Sequence, residues 1–273
     1  MLNLKNKKFK ELSQEYLNNK FFPHIVIDNF LEQDVSKKIE KEIISLTKKA
    51  KPYFAYNTKK FALNKLEQFE KETKKLINYL NSQDFLNILE DLTGIKNLIS
   101  DPNLEGGGLH VVKKNGYLNI HADFQSHIVN KTWSRKINLL LYFNNNWSEN
   151  NNGNLELWNN SLSEKVSYLP KFNRAVIFFT GEKSFHGHPL ALSPPNGDVR
   201  KSIAMYYYVD MKKPLPLKET NFQALSEYGF FKKILMKVDQ AFLRIFSFLK
   251  RQKIISDESY TNLLNFFVKK DKK

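Results

Sequence analysis

The amino-acid sequence predicts an α+β chain whose core is mainly β. Three observations predict this. Apolar residues recur at helical spacing through roughly the first hundred positions. From about Leu98 to Val209 the period falls to two, in short apolar runs parted by Gly, Asn and Pro. After Pro214 and Pro216 helical spacing returns. Many short strands at such spacing fit a β-sandwich or a jelly roll.

Residues 1 to about 20 predict a short basic helix through Leu4, Phe9, Leu12 and Tyr16. Phe22 to Phe30 alternates and is β-branched, as a strand does. Glu32 to Lys49 is amphipathic, with Val35, Ile39, Ile43 and Leu46 on one face. A second helix is expected over Leu66 to Leu80. A third starts after Ser82 as N-cap and stops at Gly94. The expected strands are Leu109–Val112, Tyr117–Asp123, Ile137–Phe143, Asn154–Trp158, Val166–Leu169, Ala175–Thr180 and Lys201–Val209. Ile137–Phe143 is apolar enough to be covered on both faces. A C-terminal helix carries Phe231, Leu235, Val238, Phe242, Ile245 and Leu249 as a stripe, expected to pack on the β-core. A membrane-surface or partner-binding helix is the alternative. A last helix is expected over Asp257–Val268. The breaks divide the chain into a basic N-terminal helix (1–21), a central domain (22–210) and a basic helical extension (211–273).

Composition narrows the chemistry. Cysteine is absent, which excludes disulfides and thiolate metal sites, so any metal must use His, Asp or Glu. The net charge of +15 is read mainly as a solvated lysine-rich surface. No run reaches the length of a spanning helix, and the N-terminus lacks the apolar stretch of a signal peptide. The expected location is the cytoplasm.

The chemistry starts at His121-Ala122-Asp123. On a strand, alternation turns both side chains to one face. That is two-thirds of a 2-His-1-carboxylate site for iron(II). His186, just after the strand AVIFFT, can supply the third ligand from a neighbouring strand. Arg200 and Ser202 share one face of a later strand, with Lys201 on the other; a guanidinium and a hydroxyl together suit a carboxylate. Lys201 is the fallback for that role. Tyr142, near the end of a core strand, could reach the same carboxylate. His188 is expected in a loop. Tyr206, Tyr207, Tyr208, Trp147 and Trp158 are expected to pack, and Gly106–Gly108 to form a turn.

Taken together, HAD, INLLLYFNNNW, GNLELW, PKFNRAVIFF, SFHGHP and RKSIAMYYY resemble the iron(II)- and 2-oxoglutarate-dependent dioxygenases of the prolyl 4-hydroxylase type, over roughly residues 22–210. The resemblance implies a double-stranded β-helix with supporting helices. It implies His121, Asp123 and His186 as Fe(2+) ligands, with Arg200, Ser202, Tyr142 and His110 contacting 2-oxoglutarate. It also implies O2 as co-reactant, ascorbate as helper, and hydroxylation of a C–H bond with release of succinate and CO2. The substrate expected is a prolyl residue in a protein. The alternatives are a small molecule (free amino acid, lipid or glycan precursor) and a silent jelly-roll binding module. A nucleic-acid substrate is disfavoured, since no aromatic–basic alternation marks a base-flipping surface. Two departures stand out: Gly153-Asn154 replaces the usual Gly-Gly, and LALSPPNGDV lengthens the interval between His186 and Arg200.

Overall fold

The computed structural model describes residues 1–3, 9–195 and 197–255. Four helices precede most of the sheet: α1 (Phe9–Asn18), α2 (Gln33–Leu46), α3 (Lys71–Leu80) and α4 (Gln83–Thr93). Each appears where apolar spacing predicts it. Ser82 caps α4 by accepting a hydrogen bond from the Phe85 amide, and Gly94 ends it in the left-handed conformation. The helix expected over Asp257–Val268 lies outside the described residues, as does Leu4.

The strands are β1 (His24–Ile27), β2 (Lys51–Ala55), β3 (Thr58–Leu63), β4 (Leu98–Ser100), β5 (Gly108–Val112), β6 (Tyr117–Ala122), β7 (Trp133–Tyr142), β8 (Leu155–Trp158), β9 (Lys165–Tyr168), β10 (Ala175–Phe179), β11 (Phe185–His188), β12 (Arg200–Asp210) and β13 (Asn221–Phe222). They hydrogen-bond antiparallel along the path β1-β10-β7-β12-β5-β3-β6-β11-β8-β9. The path folds back on itself, bringing the end of β6 against β7. This is the jelly-roll, double-stranded β-helix arrangement.

Alternation along β7, β10 and β12 assigns the two faces. Ile137, Leu139, Leu141, Ile177, Ile203, Met205 and Tyr207 pack outward with the helices in the main core. Their neighbours Asn138, Leu140, Ser202 and Tyr206 face the cavity inside the roll. The mostly apolar β7 is thus covered on both faces, as expected. The helices act as a lid on one sheet face and leave the other for chemistry.

The hairpin β2–β3 has no counterpart in the sequence reading. Its lysines (Lys51, Lys59, Lys60) and its Tyr56-Asn57 turn obscure the alternation. β3 nevertheless inserts between β5 and β6. The insertion requires Gly108: a Cβ there would stand 2.3 Å from the Leu63 carbonyl oxygen, at a φ of +84°. β11 and β13 also lie where no strand was expected.

The largest correction concerns α5 (Phe230–Arg251). Its main stripe does not pack on the core. Phe231, Leu235, Val238, Phe242 and Ile245 are exposed, while Met236 and Leu243 are buried. Periodicity defines the stripe correctly but cannot say which side the protein covers.

Candidate metal centre and cosubstrate cavity

His121 lies in β6 and Asp123 just beyond its end. β11 runs antiparallel beside β6 with His186 opposite His121. This register brings the ligating atoms of all three residues within 4.8 Å of one another. The His121 ring lies 4.4 Å from that of His186, centroid to centroid. Nε2 of His121 stands 3.5 Å from Asp123 Oδ1, and Nε2 of His186 stands 3.3 Å from Oδ2.

The surrounding bonds fix the donor set. Nδ1 of His121 donates to the Asn119 carbonyl at 2.8 Å, and Nδ1 of His186 donates to the Ser184 carbonyl at 2.9 Å. A carbonyl only accepts, so each Nδ1 carries the hydrogen and a neutral ring leaves its Nε2 lone pair free. Burial and the neighbouring His186 hold His121 below the ordinary imidazole range, which favours the neutral ring. Two bare imidazole nitrogens and one carboxylate suit a divalent first-row metal, oriented from behind as such ligands usually are.

Asp123 is held by residues that the sequence reading passed over. Arg135 Nη2 donates to Asp123 Oδ2 at 3.1 Å, and Asn138 Nδ2 donates to the same oxygen at 2.6 Å. Arg135 Nε donates to Asn138 Oδ1 at 2.8 Å, closing the triangle. Arg135 is completely buried and lies over the Tyr206 ring at 3.3 Å. Burial alone would raise the Asp123 carboxyl. The Arg135 charge beside it outweighs this and holds the group well below the usual carboxylate range. Arg135 lies in the polar first half of β7, before the apolar run that signals the strand. No sequence signal marked it: Arg135 is three residues before Asn138, a spacing that alternation puts on opposite faces, and only the bulge in the pairing of β7 with β12 brings the two together.

A cavity of about 520 Å³ opens from this cluster and is also lined by His110, His188, Arg200 and Ser202. That size suits a small ligand. Arg200 Nε donates to the Gly153 carbonyl at 2.7 Å, and Nη2 donates to the Tyr142 hydroxyl at 3.2 Å. Gly153 is needed beside it, since a Cβ there would press on Arg200 and Leu192 at 3.2 Å, at a φ of +84°. Leu192, from the inserted LALSPPNGDV loop, is buried against this corner. Tyr142 is buried behind Arg200 and does not line the cavity. Lys201 points to the other face, its amide donating to Asn144 Oδ1. Trp147 and Trp158 are buried in apolar clusters, as expected.

Two expectations change. His188 is not a loop residue: it ends β11, is 4% exposed and lines the cavity, and its Nδ1 has no hydrogen-bond partner among the described residues. Tyr206 lines the cavity as well as stacking on Arg135. Lys60, from the unforeseen hairpin, is a second cation in the same cavity. Burial pushes its ammonium down to about 8, against the pull of Asp123. His110 Nε2 lies 3.1 Å from the Gly106 carbonyl and 3.5 Å from Lys60 Nζ. One neutral ring nitrogen cannot serve both, because the carbonyl needs a donor and the ammonium an acceptor.

Residues 107–208 match the family model of the 2OG-Fe(II) oxygenase superfamily. The chain carries a 2OG-Fe(II) oxygenase domain. The enzyme is a 2-oxoglutarate-dependent dioxygenase, and the matched family implies Fe(2+), 2-oxoglutarate and O2. Solved structures agree on the fold. A prolyl hydroxylase from Trichoplax adhaerens, in complex with a hypoxia inducible factor oxygen degradation domain peptide fragment, superposes with a TM-score of 0.53 at 20% identity, covering 78% of this chain and 95% of its own. A Pseudomonas putida prolyl-4-hydroxylase gives 0.52 at 15% identity, over 72% and 98%. HygX from Streptomyces hygroscopicus, with nickel and 2-oxoglutarate bound, gives 0.50 at 13% identity, over 72% and 86%. No curated protein matches in a sequence search.

Proposed function

We propose that this dioxygenase hydroxylates prolyl residues in a protein or peptide, with release of succinate and CO2. His121, Asp123 and His186 hold the iron, and Arg200 with Ser202 takes the far carboxylate of 2-oxoglutarate. The observation that carries this reading is one cavity with the bare Nε2 atoms and Asp123 in it and Arg200 on its wall. The likeness of the fold to prolyl hydroxylases supports the substrate class. Bound iron and 2-oxoglutarate would supply the oxidising chemistry. The protein's part is geometry. Arg135 and Asn138 fix Asp123 by one oxygen. Phe178 and Phe222 pack on the two histidines and keep water from them. Tyr142 and the Gly153 carbonyl aim the Arg200 guanidinium, and His110 and His188 offer further polar contacts to the cosubstrate. Residues 22–210 are the catalytic unit of this proposal, the cytoplasm its location, and ascorbate a helper on the strength of the resemblance.

Lys60 favours a second reading, a small anionic substrate, because it adds a cation beyond the one that 2-oxoglutarate needs. Succinate release in the presence of Fe(II) tests both, with prolyl peptides set against small carboxylic acids. Wild type should turn over one of the two pools and His121→Ala neither. Turnover that survives His121→Ala would refute the ligand assignment. No iron binding and no turnover with any pool would leave a silent binding module.

A further inference from the structure

Helix α5 docks through a narrow inner face, where Met236, Leu243 and Phe246 pack against Phe222 and polar side chains bond to the body. Asp239 accepts from the backbone amides of Tyr56 and Asn57 at 3.1 Å each and from Asn57 Nδ2 at 2.7 Å. Gln240 donates to Asn221, and Lys250 pairs with Glu105 at 2.7 Å. Residues Phe231, Ile234, Leu235, Val238, Phe242 and Ile245 fall on one arc at helical spacing, and that arc faces away from the protein. Each is exposed, Phe231 by 80% and Phe242 by 66%. A contiguous apolar face of this kind is a binding surface.

Charge identifies what covers it. The helix holds six lysines and arginines and one acid. The acid, Asp239, is turned inward against the hairpin. Lys237 is exposed at one margin of the arc, on the side where Lys233 donates to the Ser226 carbonyl and Arg244 pairs with Glu219. An apolar arc edged by the exposed Lys237, on a helix whose one acid is turned inward, is the complement of acyl chains beneath anionic headgroups. A second copy would bring like charges together. Among the described residues, no helix is long and apolar enough to cross a membrane. Leu243, Phe246, Ser247 and Lys250 on the inner side line the metal-site cavity. We propose that α5 is an interfacial helix that seats the enzyme on an anionic lipid surface, with the cavity directly behind it. The inference stands independently of the substrate.

Co-sedimentation of the full chain with vesicles tests it. Vesicles of mixed phosphatidylcholine and phosphatidylglycerol should bind the protein, phosphatidylcholine alone should not, and added salt should release it. The double variant Phe231→Ser, Phe242→Ser should lower partitioning by more than about tenfold, since two large rings leave the lipid. Lys237→Glu should lower it by about fivefold or more. Val129→Ser, at an exposed position outside α5, should change nothing. Melting curves confirm that each variant is folded, and Lys237→Glu reports even if the double variant is not. No binding to anionic vesicles, or equal binding by the α5 variants, would overturn the proposal. So would light scattering that shows a dimer dissolved by the same substitutions, because the face would then belong to a second copy.

Discussion

The cavity has two walls of opposite construction. The sheet wall, from β6, β7, β11 and β12, turns its apolar side chains to the helices and its polar ones to the site, where Asp123, Arg135 and Asn138 bond to one another. The helix wall, α5, buries few apolar side chains and is held to the body by polar contacts such as Asp239 and Lys250. The first kind of wall is stiff, because removing Asp123 or Arg135 strands the other as a buried charge. The second can loosen, because its contacts are near solvent and individually small.

The sharpest way to break the contrast is to remove Arg135. Arg135→Leu leaves Asp123 buried and unpaired, and should cost about 3–5 kcal/mol of stability in urea unfolding. A loss below about 1 kcal/mol would mean that the sheet wall is not interlocked. Next is Arg200→Leu, which removes a charge-assisted anchor. The Kd for 2-oxoglutarate should rise by about ten- to a hundredfold in calorimetry, with little change in iron affinity.

Asp239→Ala should then free three donors and loosen α5 alone, by roughly 1–3 kcal/mol. Hydrogen exchange would show faster amides in α5 and unchanged protection in β7 and β12. Equal loss of protection in both would merge the two walls into one cooperative unit.

Lys60→Met should show a gentler, pH-dependent effect. Lys60 is pushed down to about 8 in the fold, whereas the unfolded chain titrates near the ordinary lysine value of 10.5. Between those values the unfolded state binds more protons, so stability from this group rises with pH. The cost of burying the charge is complete below about pH 8. The variant should therefore melt higher than wild type at pH 7, with the gap closing as pH climbs towards 10. Smallest of all, Phe231→Ser alone should shift stability by less than about 0.5 kcal/mol, because its ring is already in water.

The legible parts of the molecule were those where periodicity and chemistry coincide. His121, Asp123, His186, Arg200 and Ser202 line one cavity; alternation paired His121 with Asp123 and Arg200 with Ser202, and the family resemblance joined the pairs and His186. α2 and α4 announced themselves by apolar spacing and by Ser82 and Gly94. Lys60 and Arg135 were not legible, because a lysine or arginine in a polar stretch reads as surface until pairing partners are known. The hairpin that carries Lys60 pairs with strands some fifty residues away, a relation that no local window contains. α5 failed differently: the hydrophobic effect predicts that a stripe will be covered, yet here the coverage does not come from the described protein.

The short strand β13 ties together parts of the chain that are far apart in sequence. Phe222 pairs opposite His121 on β6, and its ring stands 5.3 Å from the imidazole. The matched residues 107–208 therefore hold the three candidate ligands and Arg200, but not the ring that covers His121. A chain cut after Tyr208 would bare that histidine, so the roof of the site is drawn from sequence outside the matched stretch.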